Sequence, residues 1–452
     1  MPMCKKCVFI LTVGLAVGSN QAWATTYYVS PKGKDSNSGK TLSSPFKTIK
    51  KALAATWSGS NTIYVLTGTY AETLYIGQSN LTLAAYPGNA PIIDGNTTLP
   101  NSDWGALIGV DGNYNTISGF EVRNSNINGT YLGGYGVQLS GHHNALKNMN
   151  VHHTWQQGIL ANGDNSLVED SKIWQCARAN SINPGSIIWG TGISAARNAV
   201  TGITKNAIFR HNTVYNNWGE GMSCFEADNC LIEDNVVYDN WTVNLYLSDA
   251  TNSLVRRNLV YISSNPAIPQ RNNTKVGILL ADEVASVPRS QNNTLVNNFI
   301  YNAGFGAFSW TGVYGSGLDG VLIANNTIVN GGFSVGANGD MNIINRNSYI
   351  ANNVFLSSNN SVASSAGIVF TNNNWQTSAP LAAASSGDII GDPLLQKTGT
   401  TTAGTLTGDY FKLQVGSPVI DRGGYLPEVT DDFFKQPREP LPDMGGHELP
   451  HS

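Results

Sequence analysis

The sequence predicts an all-β protein: a single-domain right-handed parallel β-helix with an N-terminal capping helix and an irregular C-terminal cap. Three observations predict this fold. Segments of the chain repeat every 23 residues, and asparagine recurs at one position of the repeats. Only 12% of the residues are charged, whereas 48 are glycine and 41% are hydrophobic. That composition is too rich in glycine for a helical protein and too apolar for a disordered one.

The repeats are short and alternate between apolar and polar residues. Three similar copies begin at Asn206, Asn229 and Asn252 and read NAIFRHNTVY, NCLIEDNVVY and NSLVRRNLVY. Strands this short cannot close a sheet alone, so each copy must pair with its neighbours. A coil of about 23 residues is typical of a parallel β-helix, because propeller blades are nearly twice as long.

An asparagine stands at the same place in successive copies. These residues are Asn212, Asn235, Asn258, Asn298, Asn326 and Asn353. Asparagine tolerates left-handed backbone angles, and its amide can bond the same amide one coil away. The repeats therefore predict an asparagine ladder along one turn of the solenoid.

The beginning of the chain has the features of an export signal. Lys5 and Lys6 precede an apolar run, and cleavage is expected after Ala24, which makes 1–24 a signal peptide. The run is too short to span a bilayer, so we expect a secreted or periplasmic protein without a membrane span.

The remaining chain divides into a solenoid and a cap. We expect the β-helix over 25–375, with an amphipathic cap helix over 45–56 that covers the first coil. Residues 376–452 lose the repeat and gain proline and charge, which predicts the C-terminal cap.

The charge balance excludes one class of partner. Without residues 1–24 the formal charge is 24 − 30 = −6, because that segment holds two lysines and no acids. Such a chain lacks the basic footprint of a nucleic-acid-binding protein. We expect a monomer.

Two stretches resemble a known family. The opening YYVSPKGKDSNSGKTLSSPFKTIKKAL and the tail GSPVIDRGG are similar to secreted right-handed β-helix carbohydrate-active proteins, including the family-nine pectate lyases. The resemblance implies a polysaccharide substrate and a polysaccharide lyase that cleaves a uronic-acid-containing glycan by β-elimination. In those lyases the base is a lysine beside calcium, which implies Lys275 here. The family's calcium ligands do not match this sequence residue by residue.

Carboxylates recur at one position of successive coils. Glu226, Asp249 and Asp282 form this acidic column, with Glu283 beside its last member. Neighbouring strands lie about 4.8 Å apart, so these acids repel unless a cation or an arginine intervenes, or one stays protonated. We predict a Ca²⁺ site there; the alternative is that the acids accept turn hydrogen bonds.

Positive residues and a histidine are candidates for proton transfer. Arg197, in register with the acidic column, and Lys275 could bind a substrate carboxylate or take a proton. His153 is a further candidate base.

Glu220 occupies a position where Val243 stands one coil later, so packing does not require a carboxylate there. Glycines on both sides could bend the chain and bring Glu220 into a cleft. A partly buried glutamate has a raised pKa, which suits a general acid or base. With Glu226 or Asp249 it could form the carboxylate pair of a glycosidase; the alternative is a structural glutamate at the corner of the coil, bonded to backbone amides.

The surface for the glycan is predicted from outward-facing residues. Trp218 and Trp241 could stack on sugar rings, or could stiffen the corners of the coil. Phe225, Tyr246 and Asn244 are predicted to line the same face. Three functions remain open: a lyase, a glycoside hydrolase, and a non-catalytic glycan-binding surface protein.

Overall fold

The structure, a computed structural model, describes residues 24–57, 59–101, 105–127, 133–182, 189–284, 288–309, 317–336 and 343–450. Over these residues the chain coils into three long sheets whose paired strands are all parallel. Each sheet takes strands from successive coils, which confirms the predicted parallel β-helix. The predicted signal peptide, apart from Ala24, lies outside the described residues.

The strands fall into three sheets along the solenoid. The first sheet holds Thr26–Val29, Thr62–Val65, Thr82–Ala85, Thr116–Ser118, Ala145–Lys147, Leu167–Glu169, Ile208–Arg210, Leu231–Glu233, Leu254–Arg256, Thr294–Val296, Leu322–Ala324, Ser348–Ala351 and Ile368–Thr371. The second holds Leu74–Ile76, Gly105–Val110, Gly133–Leu139, Ile159–Ala161, Thr191–Ala195, Thr204–Lys205, Glu220–Asp228, Val243–Thr251, Val276–Asp282, Gly304–Ser309, Phe333–Val335 and Ser361–Val362. The third holds Gly68–Tyr70, Pro91–Asp94, Glu121–Arg123, Asn150–His152, Lys172–Trp174, Thr213–Tyr215, Val236–Tyr238, Leu259–Tyr261, Phe299–Tyr301, Thr327–Val329, Val354–Leu356, Asn374–Trp375 and Ile389–Ile390.

Helices are short and few in the described part of the chain. The α-helices are Ile49–Ala55 and Ala179–Ile182, and the 3₁₀ turns are Arg271–Asn273, Leu381–Ala383 and Gly408–Phe411. None of the described helices is long and apolar enough to cross a membrane.

The capping helix begins later than the expected residue 45. Phe46 pairs with Val29 as an extension of the first sheet, so the backbone there is extended. Thr48 then caps the helix, and the Glu72 carboxylate accepts the N–H groups of Ile49 and Lys50 at 2.9 Å. These bonds satisfy helix donors that otherwise have no partner.

The core is a stack of identical positions from one coil to the next. In the central coils of the second sheet every inward residue is at most 2% exposed: Ile159, Ala161, Ile193, Ala195, Met222, Cys224, Leu245, Leu247, Ile278 and Leu280. The strands pair in the register that the 23-residue repeat predicts, with Met222 beside Leu245. The apolar alternation of the sequence therefore fills the interior of the solenoid.

The asparagine ladder is present. The Nδ2 group of Asn212 donates to Oδ1 of Asn235 at 3.1 Å, and Asn235 donates to Asn258 at 3.0 Å. The same bond continues through Asn298, Asn326, Asn353 and Asn373. All of these amides are buried, so the ladder satisfies polar groups at the turn between the first and third sheets.

The C-terminal segment packs along the third sheet. The Phe299 ring stacks on Phe411 and Phe433, with centroids 4.5 and 4.1 Å apart. Arg257 binds Asp431 at 2.8 Å. The outer face of the first sheet instead carries ion pairs such as Lys147–Glu169 at 2.7 Å. The C-terminal segment thus packs on the third sheet, and charged side chains line the outer face of the first. The candidate site lies on the second sheet.

Candidate active site

Gly221 shifts the alternation of its strand so that Glu220 faces outward. A Cβ on Gly221 would lie 2.7 Å from Cγ1 of the buried Val237, so this position faces the interior. Met222, the next residue, also faces the interior and is fully buried. Because two successive residues point inward, Glu220 turns to the outer face, where it is partly exposed and hydrogen-bonds Ser223.

Small and aromatic residues form the floor beneath Glu220. The hydroxyls of Ser194 and Ser223 lie 2.9 Å apart on adjacent coils. Ser223 pairs in turn with Tyr246, and Tyr246 with Leu279. All four are at most 3% exposed, so they make a tightly packed base on which the partly exposed groups stand.

Glu283 is the second carboxyl group of this face. It follows the strand Val276–Asp282 and is partly exposed. The Tyr246 hydroxyl donates to Oε1 of Glu283 at 2.5 Å. The negative charge of Glu283 raises the pKa of Glu220, so the two carboxyl groups are close enough to influence each other.

The protonation of the pair follows from this environment. Burial, then Glu283, raises the pKa of Glu220 to about 8, against a lowering by Ser223. Burial also raises the pKa of Glu283, while the hydrogen bond from Tyr246 opposes that rise. Burial, then Glu283 and Glu220, keeps the pKa of the Tyr246 phenol well above its usual value. Near neutral pH, Glu220 is therefore protonated, and Tyr246 favours an ionised Glu283.

Asp249 holds the backbone that carries Glu283. Its Oδ2 accepts the N–H of Glu283 at 2.9 Å and the hydroxyl of Ser248 at 2.8 Å. The N–H of Val284 also bonds this carboxylate, at 3.1 Å. Asp249 is 3% exposed, so it is a positioning residue beneath the face.

The other acids of the acidic column are also buried. Asp282 accepts the N–H of Ser290 at 2.7 Å, as in the turn-bonding alternative. Glu226 is 2% exposed, and its Oε2 lies 3.6 Å from Nε of Arg197. Burial raises the pKa of Glu226, Arg197 lowers it, and Asp249 raises it again.

Backbone hydrogen bonds occupy oxygens of the acidic column that a calcium ion would use. Ca²⁺ takes about six to eight oxygen ligands. The carboxylates of Asp249 and Asp282 bind backbone N–H groups instead, and the described residues contain no cluster of three acids, histidines or cysteines that could hold a metal. Calcium binding at the acidic column stays a prediction from the sequence.

Lys275 and His153 lie away from the carboxyl pair. Nζ of Lys275 donates to the side chain of Asn302 at 3.0 Å. Asn302 lies on the next coil, further from Glu220, and both residues line a cavity of about 190 Å³. His153 packs against His152 and Trp174 on the third sheet. Burial, followed by neighbouring positive groups, lowers the pKa of His153 to about 4.

The predicted surface residues divide between the face and the interior. Phe225 is partly exposed on the outer face, and Trp218 is partly exposed with Nε1 3.3 Å from the Gln175 amide oxygen. Asn244 is fully buried, because it takes the inward position of Gly221 one coil later and accepts from Asn240 at 2.9 Å. Asn244 is thus not placed to touch a ligand on this face.

Two further residues of this region were not predicted. The Arg271 guanidinium carbon lies 4.9 Å from the ring centre of Trp189 and 5.6 Å from that of Trp241. Trp189 stands two residues before Thr191, just as Trp218 stands two before Glu220, and Thr191 pairs with Glu220. That register could have revealed Trp189; the position of Arg271, in a loop, has no such signal.

Comparisons with known proteins identify the fold. The family model described as Pel9A-like, right handed beta helix region, matches residues 27–255. No curated protein matches the chain.

Solved structures share the architecture across nearly the whole chain. The crystal structure of pectate lyase Pel9A is 20% identical, with a TM-score of 0.56 over 95% of this chain and 98% of that one. The complex of XylC with xylose is 11% identical, with a TM-score of 0.56 over 94% and 98%. The PL6 family alginate lyase AlyGC is 12% identical, with a TM-score of 0.50 over 90% and 60%. Together with the family model, these matches confirm the predicted right-handed β-helix.

Proposed function

Because the chain belongs to the family of Pel9A-like right-handed β-helix proteins, we propose that it is an exported enzyme that cleaves a polysaccharide. The proposal is carried by one observation: two partly exposed carboxyl groups, Glu220 and Glu283, stand on the packed floor of the second sheet with raised pKa values. Solved proteins of this fold include a pectate lyase, an alginate lyase and a complex with xylose.

The pair supports hydrolysis of a glycosidic bond. Glu220 is protonated below pH 8 and can donate its proton to the leaving glycosidic oxygen. The hydrogen bond from Tyr246 favours the ionised form of Glu283, which would act as nucleophile or as the base that activates water. Environments that set one carboxyl protonated and the other ionised are the usual arrangement for this chemistry.

Elimination is the second candidate, and the pectate and alginate lyases of this fold favour it. In that reaction Glu220, once deprotonated, would take the C-5 proton beside a uronate carboxylate, and the electron pair left at C-5 would form the double bond to C-4 as the glycosidic oxygen leaves C-4. A carboxylate with a pKa of about 8 is a much stronger base than an ordinary glutamate. The resemblance-based alternative, Lys275 as base, requires that lysine to leave Asn302.

Product analysis tests the proposal. Pectate, alginate, xylan and glycosaminoglycans are digested, and reducing ends are measured beside the ultraviolet absorbance of unsaturated uronates. Hydrolysis gives reducing ends alone, whereas elimination gives both signals. A protein that binds a glycan but releases neither product would be the non-catalytic binding protein, and the proposal would fail.

The pH profile separates the two mechanisms. If Glu220 is the acid of hydrolysis, kcat falls as pH rises through about 8, because the proton it must donate is lost. If Glu220 is the base of elimination, kcat rises over the same range. We expect the fall.

A further inference from the structure

An arginine is held between two tryptophans beside Glu220. We call Trp189, Arg271 and Trp241 the arginine clamp. The guanidinium carbon is 4.9 and 5.6 Å from the two indole centres. Trp189 is 46% exposed, and Arg271 and Trp241 are partly exposed.

The backbone fixes the clamp next to the carboxyl pair. Gly190, the residue after Trp189, accepts the N–H of Glu220 at 3.1 Å. Trp241 lies on the opposite neighbouring coil, where Thr242 donates to Gly219 at 3.1 Å. The N–H of Arg271 donates to the Trp241 carbonyl at 2.7 Å, which ties the loop to that coil. The two indoles thus flank the coil that carries Glu220.

The chemistry of a clamped guanidinium is specific. A guanidinium beside aromatic rings is attracted to their faces, and its planar set of N–H donors matches the two oxygens of a carboxylate. Among the described residues, the Arg271 side chain has no ion-pair or hydrogen-bond partner. A charged fork that is held in place without a polar partner in the described part of the chain is suited to bind an anionic group of a ligand.

We propose that the arginine clamp is a subsite for an acidic sugar, with Arg271 binding the carboxylate of a uronate residue next to the bond cleaved at Glu220. Trp189 offers its exposed indole to the face of the same or the adjoining sugar. The inference rests on the proposed function, since it places the subsite beside the carboxyl group that would cleave the bond. It holds whether the bond is broken by hydrolysis or by elimination.

A carboxylate is favoured over other anions by its planar shape. The planar fork matches a planar carboxylate in two parallel hydrogen bonds. Neither carboxyl group of this face can neutralise an acidic glycan, so a cation beside them favours its binding, and the clamp supplies one. The competing interpretation is that Arg271 only braces the loop 263–274 against the coil.

Binding is measured by titration calorimetry in the Glu220→Gln background, so that turnover does not consume the ligand. The probes are oligomers of galacturonate, of mannuronate, of unsubstituted xylose, and of a sulfated, uronate-free galactan. Arg271→Ala should weaken binding of the uronate oligomers about 10- to 100-fold and leave the xylose oligomer unchanged. Arg271→Lys, which keeps the charge but loses the fork, should give a smaller loss. Arg346→Ala, which removes an arginine paired with Asp319 at 3.3 Å, is the matched control and should change nothing.

Three results would overturn the subsite: no change in uronate affinity, an equal loss for uronate and xylose oligomers, or tighter binding of the sulfated galactan than of uronates. An equal loss with a lower melting temperature would identify a loop brace. Failure of the proposed function is seen separately, because Glu220→Gln would then retain full turnover whatever Arg271 does to binding.

Discussion

The hydroxyl of Tyr246 donates a hydrogen bond of 2.5 Å to the carboxylate of Glu283 on the neighbouring coil. Tyr246 is buried in the floor of the second sheet, and Glu283 stands partly exposed above it. The bond therefore holds the Glu283 side chain in place against the packed sheet. It also opposes the effect of burial on the pKa of Glu283.

Tyr246→Phe should make Glu283 harder to ionise. The substitution removes the hydrogen bond that favours the carboxylate, so the pKa of Glu283 rises further. We expect the acid limb of the kcat profile to move to higher pH, with a loss of about 1–3 kcal/mol in unfolding free energy because a hydrogen bond to a charged group is removed. An acid limb that stays in place would show that Glu283 does not control the reaction.

Glu220 should make the protein less stable as pH rises. Its folded pKa of about 8 is above the ordinary value, so the folded state binds more protons than the unfolded state between these two values. The stability of the wild type should fall as pH rises from about 4.5 to about 8. Glu220→Gln should lose that part of the pH dependence in thermal melts. Parallel curves for the two proteins would mean that Glu220 titrates normally.

Asp249→Asn should displace Glu283, although Asp249 itself is buried beneath the face where the substrate would bind. The amide cannot reproduce the carboxylate's bonds to the N–H groups of Glu283 and Val284, and we expect a loss of about 1–3 kcal/mol and a fall in kcat. Asp432→Asn is the control, since Asp432 is equally buried and accepts N–H groups in the C-terminal segment. It should destabilise to a similar degree and leave kcat unchanged; an equal loss of kcat in both variants would remove any special role for Asp249.

Calcium should not change the melting temperature. The sequence predicts a calcium site in the acidic column, but Asp249 accepts the N–H of Glu283 and Asp282 accepts the N–H of Ser290. Melts with added calcium and with chelator should coincide. A rise with calcium that Asp249→Asn abolishes would restore the site predicted from sequence.

Much of the fold could be predicted because each coil buries the same inward positions and makes the same turn. The inward Met222, Leu245 and Ile278 follow from the apolar alternation, and Asn235 and Asn258 from the amide ladder. Both patterns are local, so their period survives in the sequence. The later start of the capping helix could not be read there, because Phe46 pairs with a strand instead.

The site was only partly predictable because it depends on departures from that repeat. Glu220 stands out in the sequence as a carboxylate where the next coil has valine. Its partner Glu283 was predicted as a metal ligand, since nothing local shows that Tyr246 binds it. Asn244 was expected on the surface. It occupies the position of Gly221 one coil later, and that position faces the interior. Arg271 sits on a loop whose path is set by tertiary contacts.

The turnover of Glu220→Gln tests the central claim most directly. The change is nearly isosteric and removes the titrating group, so the variant should melt at or above the wild-type temperature while kcat falls at least ~100-fold on the glycan that the wild type cleaves. A variant that turns over at the wild-type rate, or that melts well below wild type with normal turnover, would contradict a catalytic Glu220 and leave it a structural brace at the corner of the coil.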